Sequence, residues 1–465
     1  MTPLHSVVGL RFSTGHALCA TVLIPAAVLL FEQLRLSWLG IALAVVIGLC
    51  AVVTVRGRRL TGWSAALVAW RRRHRRPPEP PSAAALGVLA MPDERVAVRW
   101  QGSHAVTAIE LVPRPFTPTV IVNGSAFTDD VIDTRLLGDL LRAHCPDLEA
   151  DVVSAGYRVG KTAPASLVAL YEQVIGPYPA PARRRTWIIL RADPERTRDS
   201  ACRRNAGIDG LGQYLVASTV RIAHHLSSNG IDARPADDFD RFDRATEIAY
   251  DREAWSVLKG SGTHTAAYHA PGGPDAWWSA RADHTLTRVR LAAGTAPSST
   301  VLLTTVASPS TPRGFSCLHG GQRAALLGDS PVTDRHHELP IGSAGLLVGE
   351  TADRHPVYLP FDDVDVSLDL EDSRSFTQFL VRSAAAGSTI TLGPQFQEFA
   401  GYLNARVGHG AVIRWPDSTT YLDPRPEIAR VTLRSNYIAT PRHSNLPIRP
   451  INPREEARFQ MALEH

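Results

Sequence analysis

The chain has 465 residues, 44% hydrophobic and 20% charged, a globular composition that excludes a disordered or collagen-like protein. Its formal net charge of +4 is smaller than the contribution of the eight arginines between Arg56 and Arg76, so the remainder is mildly acidic. A nucleic-acid-binding face would leave a basic excess on the folded part, so that class is excluded too.

The N-terminus carries the strongest pattern. Phe12 to Phe31 and Leu36 to Val55 each run without a Lys, Arg, Asp or Glu. Each is about 20 residues, enough for a helix to cross a hydrocarbon core. Only Glu32 to Arg35 separate them, so the sequence predicts a transmembrane helical hairpin within residues 1–59. A cleaved signal peptide fits poorly, because the first span is long and a second follows at once. Gly40, Ala44 and Gly48 recur four apart and would let another helix approach closely.

Orientation follows from arginine. Arg56, Arg58 and Arg59, then Arg71, Arg72, Arg73, Arg75 and Arg76, follow the second span with no acid among them. Positive residues stay cytoplasmic, so both termini and the large C-terminal part are expected in the cytoplasm, on an inner (plasma) membrane. These arginines would face anionic lipid. Between them Leu60, Trp63, Leu67 and Trp70 share one helical face. That face reads either as an interfacial helix or as an extension of the second span packed on a partner. Residues 60–87 close with Arg76-Pro77-Pro78-Glu79-Pro80-Pro81, a stiff extended linker.

The region 88–440 reads as a mixed α/β domain with a β-rich insertion, possibly two subdomains. Arg95–Trp100 and Val106–Val112 look like strands around a turn. Thr119–Val122 and Asp151–Ser154 are strand-like. Leu136, Leu137, Leu140 and Leu141 mark a helix, and Leu167, Leu170, Tyr171 and Val174 another at i, i+3, i+4, i+7. Thr186–Leu190 is β-rich. Leu211, Leu215, Ile222 and Leu226 line a longer helix, and Asp237–Leu258 is expected to form a further one. Such alternation argues for a sheet with helices packed on it. From Thr285 the texture is β-rich: Leu286–Leu291, Ser299–Val306 and Leu346–Val348. Alternation then resumes, with helices at Phe376, Phe379, Leu380 and at Phe396, Phe399, Leu403. Strands are expected at Thr389–Leu392, Ala411–Trp415 and Ile428–Ile438. Residues 441–465 form a proline-containing tail expected to lie extended on a surface.

Candidate chemistry is thin. Ala155-Gly156-Tyr157-Arg158-Val159-Gly160-Lys161-Thr162 has loose phosphate-loop spacing between a strand and a helix. However, Ala155 takes the leading glycine position, Tyr157 and Arg158 crowd the centre, and Arg191 follows the next strand where a magnesium carboxylate would stand. A structural strand–turn–helix is the reading. In Gly314-Phe315-Ser316-Cys317-Leu318-His319-Gly320-Gly321, Leu318 replaces the final glycine of a nucleophile elbow. Asp238/Asp240 and Asp363/Asp365 have the D-x-D spacing of metal–nucleotide-sugar sites, but surface placement is the default. His224-His225 and His336-His337-Glu338 lack the helical spacing of zinc ligands. Trp277-Trp278 reads as core packing. Cys19, Cys50, Cys145, Cys202 and Cys317 are scattered without C-x-x-C, so neither disulfides nor thiolate metal sites are expected. No cofactor, metal or catalytic residue is predicted.

Several segments carry a resemblance. They are Thr311-Pro312-Arg313-Gly314-Phe315, Ile341-Gly342-Ser343-Ala344-Gly345-Leu346-Leu347-Val348-Gly349-Glu350, Pro356-Val357-Tyr358-Leu359-Pro360-Phe361-Asp362-Asp363-Val364-Asp365 and Gly393-Pro394-Gln395-Phe396. With the hairpin and the arginine segment, they resemble the EccE component of actinobacterial type VII (ESX) secretion systems over almost the whole chain. The resemblance implies a non-catalytic subunit stabilising an inner-membrane complex with EccB, EccC and EccD, in which EccC is the ATPase. The rival reading is a membrane-anchored transferase using a nucleotide-sugar, on the strength of the α/β pattern and the D-x-D triplets.

Overall fold

The computed structural model describes residues 8–10, 53–55, 58–59, 63–64, 67–68, 70–72, 85–91 and 94–450, the last stretch without 161–162, 177, 329–333, 371–372, 409, 423–424 and 435. The chain divides into two units. The first is Met1–Pro80 with Ala254–Ser256 and Leu318–Gln322; the second holds the rest.

In the first unit, Val53–Val55 pairs antiparallel with Val8–Leu10 on one side and Arg58–Arg59 on the other. Residues 53–55 are strand, as the β-branched Val-Thr-Val run favours. The rest of both spans lies outside the described residues, as do Gly40, Ala44, Gly48, Arg56, Arg73, Arg75 and Arg76. No helix among the described residues is long and apolar enough to cross a membrane. Residues 63–64, 67–68 and 70–72 are helical.

The second unit is a mixed α/β structure dominated by sheets. Its largest sheet runs, in spatial order, Arg252–Glu253, Leu258–Lys259, His264–His269, Ser298–Thr305, His284–Ala292, Glu149–Tyr157, Arg183–Ala192, His104–Leu111, Glu94–Gln101, Ala85–Met91. Every pairing along it is antiparallel. Strand–helix alternation is therefore present in sequence without the parallel crossovers it usually builds. The helix Ala165–Ile175 sits between two strands that nevertheless pair as an antiparallel couple, Val153 opposite Trp187. His284–Ala292 and Ser298–Thr305 of the β-rich stretch are interior strands of this sheet, whereas Leu346–Glu350 belongs to a separate four-stranded sheet.

Two helices match their predicted stripes. In Thr134–His144, Leu137 and Leu141 are fully buried, and the Asp133 side chain caps the start by accepting from Arg135 N. In Gly207–Ser228, Leu211, Leu215, Ile222 and Leu226 are buried, and Thr219 meets Thr107 of the sheet through a 2.6 Å hydroxyl pair. The helix expected over Asp237–Leu258 is corrected: it covers only Asp240–Thr246. Beyond it Arg252–Glu253 and Leu258–Lys259 complete a ladder on His264–His269, where the open strand edge satisfies their backbone groups.

A second, eight-stranded sheet is built from residues after Asp365. Here parallel pairs occur, Val366–Leu370 lying between Thr419–Tyr421 and Ala429–Leu433. The helix Ser373–Ala385 covers it with Phe379, Leu380 and Val381 buried against Val366, Ile390, Ile413 and Val431. The strand expected over Ile428–Ile438 is two, Ala429–Leu433 and Tyr437–Ala439, folded as a hairpin. Part of the expected tail is also paired: Leu446–Pro447 joins Tyr437–Ala439, and Arg449 bridges Glu350.

Candidate interaction site at the sheet junction

Arg183, Arg184 and Arg185 stand at the start of the strand Arg183–Ala192, where that strand meets the chain entering the second sheet. Arg185 is ion-paired to Asp363, donates to the Asp362 carbonyl at 3.0 Å and reaches Asp417 at 3.0 Å. Arg183 reaches the same Asp417 oxygen at 2.8 Å. Alternation sends Arg184 to the other face. Its Nε donates to the Gly342 carbonyl at 2.8 Å, its backbone N–H to Ser343 Oγ at 2.9 Å, and its guanidinium lies 5.2 Å from the Trp278 ring. Ser343 Oγ in turn donates to Asp362 at 2.9 Å. One three-arginine run thus ties together the loops at 341–343, 360–363 and 416–418.

The electrostatics are uneven. Burial raises the Asp362 carboxyl against the pull of Arg185. Burial and the neighbouring Asp362 charge push Asp363 up to about 7. Burial also penalises Asp417, but Arg185 and Arg183 outweigh it and leave that carboxyl low. Arg184, fully buried with only Asp130 to offset it, is pushed down to about 9.

A cleft of about 540 Å³ opens beside this junction, with Tyr157, Arg183, Arg185, Arg244, His284 and Asp417 among its walls. It adjoins a second hollow of about 650 Å³ through the shared residues Glu110, Trp187 and Arg241. The charges lining both are a mosaic of arginines and carboxylates, suited to a polar protein surface rather than to a single phosphate.

The phosphate-loop spacing has a packing explanation. Gly156 and Tyr157 belong to a strand, not a loop. A Cβ on Gly156 would overlap the Arg183 carbonyl, and one on Gly160 would overlap Gly387. Gly160 N–H donates to Ala385 O at 2.9 Å, so both glycines serve close backbone crossings. Lys161 and Thr162 lie outside the described residues.

The other candidates are placed as follows. Asp238 accepts from Asp240 N at 2.9 Å, and Asp365 from Thr419 N at 2.7 Å, so each D-x-D pair has a carboxylate engaged by a backbone N–H. His225 stacks on His144 at 4.1 Å, His336 lies 3.3 Å from Thr134 Oγ1, and His337 lies 3.3 Å from Asp334. Among the described residues no group of three or more His, Cys, Asp or Glu is arranged to hold a metal ion. Ser316 and Cys317 form an exposed to half-buried edge pair with Tyr268–His269. Trp277 and Trp278 are buried, Trp277 Nε1 donating to Ala270 O at 2.6 Å. Cys145, Cys202 and Cys317 are free thiols.

In the first unit Trp63 and Trp70 are half-buried. Trp63 lies 5.1 Å from the His319 ring and 6.0 Å from Trp255, and Trp70 meets Trp255 edge-on at 5.7 Å. Leu67 and Val68 remain exposed, at 37% and 49%, beside exposed Arg71 and Arg72.

The junction was not read from sequence. The signal was there: Arg183-Arg184-Arg185 inside a β-rich run and the doublet Asp362-Asp363, two charge clusters where strands would be buried.

An all-antiparallel sheet is thus joined to a second sheet through a charged seam. The comparisons give the family. The family model "Putative type VII ESX secretion system translocon, EccE" matches residues 180–270. That stretch supplies Arg183, Arg185, Trp187, Arg241 and Arg244 to the cleft walls. The ESX-1 secretion system protein EccE1 of Mycolicibacterium smegmatis is 65% identical over 98% of this chain and 98% of its own length. EccE1 of Mycobacterium tuberculosis is 60% identical over 99% of this chain and all of its own. ESX-5 secretion system protein EccE5 of Mycobacterium marinum is 28% identical over 67% of this chain and 83% of its own. The chain belongs to the EccE family.

Proposed function

We propose that this protein is a non-catalytic membrane subunit of a type VII (ESX) secretion complex, stabilising its assembly alongside EccB, EccC and EccD. The observation that carries this is 60–65% identity, over nearly the full length, to proteins named for ESX-1 secretion. The two apolar runs at 12–31 and 36–55 support a membrane hairpin, with the second unit on the cytoplasmic side. Gly40, Ala44 and Gly48 would give neighbouring helices a close approach. Arg56, Arg58 and Arg59, with the later arginines, would sit at the lipid boundary. Trp63 and Trp70, half-buried beside Trp255 and His319, would sit at the same boundary, with Leu67, Val68, Arg71 and Arg72 exposed beside them.

The charged seam and mosaic cleft are then a binding surface for a partner subunit. Weak contacts in the membrane and in the cytoplasm add, since tethering raises the local concentration of the second unit near its partner. No observation favours the nucleotide-sugar reading, given that both D-x-D triplets are drawn into backbone bonding.

The test is affinity purification of the tagged chain from membranes in mild detergent. EccB, EccC and EccD should co-purify, and removal of the chain should shrink the complex and depress secretion. A chain that purifies alone, with complex size and secretion unchanged in its absence, would refute the assignment.

A further inference from the structure

Asp362 and Asp363 are adjacent, their side chains at least nine-tenths buried, and among the described residues one carboxyl oxygen of each meets no hydrogen-bond donor: Oδ1 of Asp362 and Oδ2 of Asp363. Buried carboxylate oxygens are almost always bonded, because an unmet acceptor in a dry site costs its full desolvation. Two adjacent buried acids favour holding one proton between them, because a neutral acid tolerates burial that a second anion beside it does not.

We propose that the Asp362–Asp363 pair is a proton-operated latch: one proton held by the pair keeps the segment 360–365 seated on the strand Arg183–Ala192, and its loss loosens that seat. The proton leaves a carboxylic acid as H⁺ to solvent and returns the same way. No other bond changes.

The surroundings set the direction. Arg185 and Arg183 face the pair from the large sheet, and Asp417 from the loop 416–418 competes for both. Asp130, raised by its own burial, adds negative charge toward Asp363, while Arg114, Arg184 and Arg442 face Asp130. Tyr157 lies close enough to feel Asp362 and Asp417. Two arginines, both already shared with Asp417, therefore face two adjacent buried acids, and only Arg185 is ion-paired to one of them. Burial and the Asp362 charge place the Asp363 transition at about 7, within physiological range.

Sign follows. The pair binds its proton more tightly folded than unfolded, so the seat is firmest below the transition and weakens as pH rises through it. Since Arg183, Arg185 and Asp417 also line the cleft, loosening the seat reshapes the surface offered to a partner. The latch is a property of the fold and stands apart from the secretion assignment.

Hydrogen exchange on the full chain in detergent tests it, with rates corrected for intrinsic pH dependence. Protection of Val366–Leu370 and Thr419–Tyr421, relative to the reference strand Glu149–Tyr157, should fall by about tenfold from pH 6 to pH 8. Asp363→Asn and Asp362→Asn should each flatten that dependence while keeping the low-pH protection. Flat protection in the parent chain overturns the latch, whether or not the variants fold. A pH-dependent loss that survives unchanged in a folded Asp362→Asn or Asp363→Asn variant overturns it as well.

Discussion

In the middle of the large sheet, Asp151 is fully buried with Arg290 at 2.7 Å, Arg288 at 2.9 Å and Arg191 at 3.6 Å. At the sheet junction Asp363 is almost as buried, but its one arginine is shared with Asp417, and Asp362 stands beside it. Burial penalises both carboxylates. Three cations overcome that penalty at Asp151, which stays below the usual carboxylate range. Half of one cation does not at Asp363, which rises to about 7. The comparison shows that the sign of a buried aspartate's shift is set by the ratio of positive to negative neighbours, not by the presence of an ion pair.

The hardest way to break the comparison is to empty the first site. Asp151→Ala leaves Arg288, itself fully buried, and Arg290 without their carboxylate. Breaking a buried pair from one side costs roughly 3–5 kcal/mol. Native stability is only about 5–15 kcal/mol, so denaturant midpoints should drop sharply or the chain should fail to accumulate. A loss under about 1 kcal/mol would mean that water already reaches these arginines.

Next come the glycines between the two sites. Gly156→Ala and Gly160→Ala force a Cβ into backbone, at Arg183 and Gly387 respectively, where no side chain can swing away. Each should cost roughly 1–3 kcal/mol. Lys161→Ala should change stability by less than about 0.5 kcal/mol and leave secretion intact. Nucleotide binding to the parent chain, lost with Lys161, would reverse that reading.

A pH titration of unfolding separates the sites by sign. Asp151 has a depressed folded pKa, so its contribution is present above the unfolded value and is lost as pH falls through the folded one, in the acid limb below about pH 4. The junction pair has raised pKa values, so its contribution is present at low pH and is lost as pH climbs toward about 7. One proton gives a slope of at most about 1.4 kcal/mol per pH unit. Asp363→Asn should flatten the neutral limb and leave the acid limb alone.

What sequence could reveal follows the same division. Short-range patterns were legible: the stripes Leu137/Leu141 and Leu211/Leu215/Ile222/Leu226 found their helices, and Thr389–Leu392 its strand. Strand partners were not, because alternation in sequence does not say which edges meet or in which direction they pair. Asp237–Leu258 failed for a related reason: the open edge of His264–His269 outbid local helix preference beyond Thr246. The junction depends on residues 178 positions apart, Arg185 and Asp363, so neither charge cluster announces the other. Family resemblance reached the identity because it draws on whole segments, not on a reactive group.

The smallest effect concerns the first unit, where neutral rings replace buried charge. Trp255 is touched by Trp63, Trp70 and His319, with ring centroids 5.7 to 6.2 Å away. Such aromatic pairs contribute about 0.5–1.5 kcal/mol each beyond area burial. Global unfolding of the second unit, which has its own core, should shift little in Trp255→Ala. The local readout should be clear: Trp63 and Trp70 become more accessible to acrylamide quenching. Gly320→Ala is an independent probe, since its Cβ would overlap the Trp255 ring while Gly320 itself sits at φ +70°, a conformation that favours glycine. Both variants should release the same two tryptophans. If Trp63 and Trp70 stay protected in both, and only in membranes, then lipid holds them rather than Trp255. The helical face at 63–72 would then be an interfacial one, with Leu67 and Val68 its outer edge.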